Sequence, residues 1–261
     1  MEILHAALIS LTAFGAAVLT FFSGFGLGTL LMPVMAIFFP VETAVGITGV
    51  AHLFNNLFKL GLTGRHADKA TLWRFGAPAI PAAFLGAWAL LALGRLPRLF
   101  HYELMGREFD VSPLKFTIAL LLLAFAAMEW NPKFQGRLIA QKHLPLGGVL
   151  SGFFGGLSGH QGALRSAFLI RAGLSKEAFV GTGVVVSTVI DLTRVGVYGL
   201  GTGGLGDLSG RAIWVISATV SAMFGAYLGH KLLKKVTLCF VQRLVALMLA
   251  LLALAMGAGW I

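Results

Sequence analysis

Charge is what this 261-residue chain has least of. Only 11% of its residues are Asp, Glu, Lys or Arg, against about a quarter in a soluble globular domain. That leaves almost no polar surface for a water-exposed domain. Acids are scarcer still, 10 against 20 Lys plus Arg, for a net charge of +10. The basic residues are scattered over short loops, which excludes the single basic stripe of a nucleic-acid binder and fits loops held on the cytoplasmic side of a membrane. The one cysteine, Cys239, excludes an internal disulfide. The start Met1-Glu2-Ile3-Leu4-His5 lacks the basic residues that open a cleavable signal, so the first apolar segment is expected to be retained.

Apolar residues and glycine fill the space that charge leaves. The chain is 57% hydrophobic with 34 glycines, and its mean hydropathy is +0.87. Apolar runs of membrane-spanning length recur along it. The prediction is an all-α, polytopic transmembrane bundle in the inner or plasma membrane, needing no cofactor and no metal. Predicted spans are 43–63, 73–93, 113–130, 177–199, 211–230 and 236–258, with a mixed-charge loop at 94–112 and a basic loop at 131–143. Two further apolar stretches, 4–40 and 145–172, are interrupted by glycine. The first break is Ser23-Gly24-Phe25-Gly26-Leu27-Gly28, and the second runs from Ser151 through Gly155, Gly156 and Gly159 to Gly162. Broken backbone at membrane depth survives only where protein buries it or it lines a polar cavity. Residues 4–40 read either as a re-entrant hairpin or as a full crossing.

The two broken stretches begin two similar halves, each a Gly-broken hairpin followed by three spanning helices. An offset of 135 pairs Val45 with Val180, Gly46 with Gly181, Lys59 with Arg194 and Gly61 with Gly196. Equivalent loops carry their positive charge on opposite sides: 64–74 holds Arg65, Lys69 and Arg74, while 200–210 holds only Asp207. This predicts inverted repeats. The chain divides into 1–112 (first repeat and following loop), 113–144 (the fourth helix of the first repeat region and the basic cytoplasmic loop) and 145–261 (second repeat).

Each half also carries a polar stripe on a spanning helix. His52, Asn55, Asn56 and Lys59 fall on one face of 43–63, and Ser187, Asp191 and Arg194 on one face of 177–199. Charges inside a span are costly and face a partner or a cavity. Ser158, His160, Gln161 and Arg165 flank the second break. A half-helix starting near Gly162 would point free amides at the break, where an anion is stabilised, and Arg165 would offer a planar fork to its oxygens. The candidate substrate-binding set is therefore His52, Asn55, Asn56, Lys59, Ser158, His160, Gln161, Arg165, Asp191 and Arg194. The helix-break glycines are Gly24, Gly26, Gly28, Gly155, Gly156 and Gly159. Asp191 and Arg194 have the alternative of pairing within their own helix. A coupling proton would be carried by His52, His160 or Asp191, and a sodium ion would sit at Asp191.

The glycine-rich Ser23 to Gly28 followed by Pro33, the second break Ser151-Gly152-Phe153-Phe154-Gly155-Gly156 and the doubled layout resemble the sulfite exporter TauE/SafE family over essentially the whole chain. The resemblance implies a secondary transporter that exports sulfite or an organosulfonate, with a small anion and the bilayer as partners, and no enzyme activity. Two other readings remain open at this point. One is an anion channel. The other is a rhomboid-like intramembrane serine protease, since Gly156-Leu157-Ser158-Gly159 fits its nucleophile motif. A protease needs a histidine base beside Ser158, expected from a later helix, and the only histidine beyond the second break, His230, adjoins Lys231, Lys234 and Lys235.

Overall fold

A computed structural model describes residues 2–20, 27–131, 141–200, 212–232 and 238–261. The first break, with Gly24 and Gly26, lies outside them, as do most of the 131–143 loop and the loop 201–211.

The described chain is helical apart from one β-hairpin. α1 (Glu2–Thr20) and α2 (Leu27–Phe38) flank the first break, and Pro40 leads into α3 (Val41–Thr63). A three-residue turn, α4 (Lys69–Thr71), runs through a π-turn (Leu72–Gly76) into α5 (Ala77–Gly94), one continuous apolar span. Asp68 caps it by accepting the Thr71 N–H at 2.7 Å. α6 (Pro113–Trp130) starts with Ser112 accepting the Lys115 N–H, and with Pro113 where a missing N–H costs nothing. α7 (Leu144–Ser158) and α8 (Gln161–Leu169) flank the second break, followed by α9 (Lys176–Leu200), α10 (Ala212–Leu232) and α11 (Leu238–Gly257).

Among the described residues, four helices are long and apolar enough to cross a bilayer: Lys69–Gly94, Pro113–Trp130, Lys176–Leu200 and Ala212–Gly229. Their outer faces carry exposed Trp88, Leu120, Leu192 and Phe224, while Asp191 and Arg194 are buried. Apolar outside and charged inside is the pattern of a protein whose solvent is lipid. α7 and α8, with 15 and 9 residues, are about 22 and 13 Å long, and neither alone crosses a hydrocarbon layer of roughly 30 Å. They pack on each other as a hairpin.

The glycines of the second stretch serve mainly to bring helices together. Residues 151–158, expected to be part of the break, are helical, so Gly155 and Gly156 lie within α7 and not at the interruption. The break narrows to Gly159 and His160. Gly159 adopts φ 82° and ends α7 with its N–H on Gly155 O at 3.0 Å, the left-handed stop that glycine makes without penalty. Gly148, Gly152 and Gly156 repeat every four residues along one edge of α7. A Cβ on them would overlap the carbonyls of Phe75, Ala79 and Ala83 on the opposite helix. Backbones in van der Waals contact at small residues substitute for the hydrophobic drive that lipid cannot supply.

The packing comes in matched sets. α7 lies on α5, and α1 lies on α10, where Gly225 meets the Phe14 carbonyl. α5 touches α9, and α10 touches α3. α3 crosses α9, and α6 pairs with α11. α1 thus packs on a helix from late in the chain, and α7 on one from early in it.

The 94–112 segment, read as a plain loop, folds into a hairpin of β1 (Phe100–Leu104) and β2 (Arg107–Val111). Met105 and Gly106 have φ 54° and 73°, matching the two-residue turn that suits strand twist. Tyr102 stacks on Phe109 and donates its hydroxyl proton to Ala258 O, fastening the hairpin to the end of α11.

Candidate functional site

α3 and α9 bring their polar stripes face to face at the centre of the bundle, and Asp191 is the meeting point. Its Oδ2 accepts from His52 Nδ1 at 2.6 Å and from Asn56 Nδ2 at 2.7 Å. Because a carboxylate only accepts, the His52 proton in this contact sits on Nδ1. Its Oδ1 accepts from Gln161 Nε2 at 3.0 Å and Arg194 Nε at 2.9 Å, with Arg194 Nη2 at 2.8 Å. Helices α3, α8 and α9 are thereby tied to one carboxylate.

Arg194 is enclosed completely. Its guanidinium passes Gly49 of α3, reaches Gly155 O at 3.4 Å, and lies so close to Gly159 that a Cβ there would be 2.6 Å from Nη1. The in-helix pairing with Asp191, one of the two readings of the sequence, is the arrangement found. One turn on, Tyr198 donates to Gly156 O and locks α9 to α7.

Arg165 projects from α8 to Ser187 on α9, donating to its hydroxyl. Lys59 is buried within electrostatic reach of Arg165 and Asp191. Lys59, Arg165 and Arg194 against Asp191 give a formal three positive and one negative, an excess of two positive charges among these four buried residues.

Ser158 and His160 form a separate local unit. Ser158 Oγ donates to Phe154 O at 3.1 Å, and His160 Nδ1 lies 3.0 Å from Ser158 O and 3.1 Å from Ser158 Oγ. The imidazole stacks on Phe125 of α6, centroids 5.6 Å apart and planes at 12°. Ser151 Oγ donates to Gln161 O at 3.1 Å, bracing the hairpin.

The second break and the start of α2 touch. A Cβ at Gly28 would be 3.2 Å from Gly159 O and 3.7 Å from Thr48 Cγ2. Around this contact and along the α3 stripe are buried polar atoms with no hydrogen-bond partner among the described residues: Thr48 Oγ1, both amide atoms of Asn55, His160 Nε2 and Gln161 Oε1. Thr48 and Tyr198 were missed as site residues, although each lies four residues from a chosen one, His52 and Arg194. Phe125 left no signal in the sequence.

The model of the family described as Sulfite exporter TauE/SafE matches residues 9–256. The chain belongs to the sulfite exporter TauE/SafE family. No curated protein and no solved structure matches it. As a member of that family the chain is a multi-pass membrane exporter of sulfite or a related sulfur anion, and a transporter instead of an enzyme. The protease reading of Ser158 is set aside on that ground.

Proposed function

We propose that this TauE/SafE protein exports a small sulfur oxyanion, sulfite or an organosulfonate, by alternating access, holding it where the two hairpin breaks meet. The observation that carries this reading is the set of unpartnered buried atoms on Thr48, Asn55, His160 and Gln161. Buried polar groups without partners are rare in folded proteins, and each one calls for an explanation. An oxyanion would accept from the Asn55 amide and the Thr48 hydroxyl. The positive excess from Lys59, Arg165 and Arg194 over Asp191 sets the sign of the ligand. His52, Asn56 and Asp191 then act as the frame that holds α3 to α9, with Gln161 fixing the break to the same carboxylate.

The packing of α1 on α10 and of α7 on α5 supports two inverted repeats, the first formed by 1–112 with the helix of 113–144 and the second by 145–261, rocking against one another. Both oxygens of Asp191 are occupied by N–H donors, which favours a proton passing through the His52–Asp191 contact over a sodium ion bound at Asp191. The test is uptake of labelled sulfite into proteoliposomes with competing taurine, sulfoacetate, sulfate and chloride. Saturable flux blocked by one sulfur oxyanion supports the reading. Absence of flux under imposed pH and sodium gradients overturns it, and single-channel currents replace the carrier with a channel.

A further inference from the structure

We propose that a cleft beside the π-turn binds one anionic phospholipid, with an acyl chain in the cleft and the phosphate at Lys69. The proposal goes beyond the transport reading and does not depend on which anion is carried. The cleft, about 470 Å³, lies between the span Lys69–Gly94 and α9. Leu72, Trp73, Ile80, Pro81 and Val189 make its wall apolar, and Lys69 is the one charged lining residue.

Three features select a lipid of that charge. Trp73 is 77% exposed and Ile80 44% exposed, so the cleft opens outward from the bundle, toward the hydrocarbon. Arg65, Lys69 and Arg74 are all exposed at the same helix start. The one acid within 64–74, Asp68, is engaged by the Thr71 side chain and N–H, which hold its carboxyl below the usual range. Three cations against one engaged carboxylate leave a positive rim above an apolar slot, the arrangement that recognises an acidic headgroup. The slot is part of the built structure. The π-turn adds a residue to the helix just before Pro78, which cannot donate to the preceding turn. The Asp68 N–H donates to Thr182 Oγ1 at 2.9 Å and anchors the rim to α9.

The experiment uses tryptophan fluorescence of the full chain. Trp88, Trp130, Trp214 and Trp260 are changed to Phe, leaving Trp73 of the five tryptophans. The protein is reconstituted in phosphatidylcholine vesicles doped with dibrominated phosphatidylglycerol or dibrominated phosphatidylcholine. Phosphatidylglycerol should quench Trp73 about fivefold more effectively per mole, the preference expected of one lysine near an acidic headgroup. Lys69→Gln should abolish that preference. Equal quenching by both lipids overturns the proposal. Quenching by neither also overturns it, because protein then covers the cleft. Should the Trp-reduced variant fail to fold, native mass spectrometry of the wild-type chain replaces it. Phosphatidylglycerol retained in preference to phosphatidylcholine, and lost in Lys69→Gln, supports the site. Equal retention rejects it.

Discussion

Asn56 and Asp191 occupy the same position in the 135-residue register of the two halves, and they hydrogen-bond to each other at 2.7 Å. His52 and Asn56 of α3 and Arg194 of α9 all meet the one carboxylate, so Asp191 ties these two helices together at the centre of the described bundle.

Asp191→Asn should be a folding variant before it is a transport variant. It strips Arg194 of its counter-charge inside a closed site, and removing one member of a buried pair costs about 3–5 kcal/mol. Thermal unfolding in detergent should show the loss, and Asp191→Asn combined with Arg194→Gln should recover part of it. Equal stability of the single variant and the wild type would remove Asp191 from its structural place.

Asn55→Leu should do the reverse. Its amide is fully buried with no partner among the described residues, so an apolar replacement of similar size should leave stability unchanged or raise it by about 1–3 kcal/mol. Sulfite flux should fall at least roughly tenfold, which corresponds to about 1.4 kcal/mol of lost binding. Normal flux in the folded variant would take Asn55 out of the substrate site.

Gly152→Ala should separate α7 from α5. The added methyl overlaps the Ala79 carbonyl, and overpacking of this kind costs about 1–3 kcal/mol. Gly15→Ala, where a Cβ meets nothing within 4 Å, is the matched control. A lowered melting temperature is expected for the first and none for the second.

His52→Gln keeps a donor for Asp191 but cannot change its protonation. If a proton passes through this contact, sulfite flux should lose its response to an imposed pH gradient while exchange at equal pH persists. A retained gradient response assigns the proton elsewhere.

Asp110 reports on the hairpin. Hydrogen bonding from His101, then from Arg98, holds its carboxyl below the usual range. A depressed carboxyl stabilises the fold above its unfolded value, near 3.9, and that contribution disappears as pH falls through the lower folded value. Carbon-detected NMR titration should find Asp110 below the ordinary aspartate value, rising more in His101→Gln than in Arg98→Gln.

The helices were legible from hydropathy and length: α3, α6 and α9 fall within two residues of their predicted bounds, and α6 and α9 are also long and apolar enough to span. The two stripes were legible because His52 and Asn56, and Asp191 and Arg194, follow helical spacing; that they meet each other is found in the structure. The use of each residue was not legible. Spacing cannot tell whether Arg194 turns to a ligand or back to Asp191, since both lie on the same face. Nor can glycine content separate a break from a packing edge. Gly152 and Gly156 pack against α5, and of the described glycines in the second stretch it is the left-handed Gly159 that ends the helix. The hairpin at 100–111 was missed because its strands are five residues long and stand outside any apolar run.

The packing of α1 has a consequence for synthesis. α1 rests on α10, and residues 21–211 lie between them in sequence. The contact of α1 with α10 therefore cannot form until the residues between them have been made. Joining ends so far apart is slow, because loop closure comes before any contact repays it. α5 and α7 meet much sooner, and the bundle is expected to assemble from that pair outward. Two fragments made separately, cut within the 131–143 loop, should each be unstable alone and recover a complete transporter when expressed together.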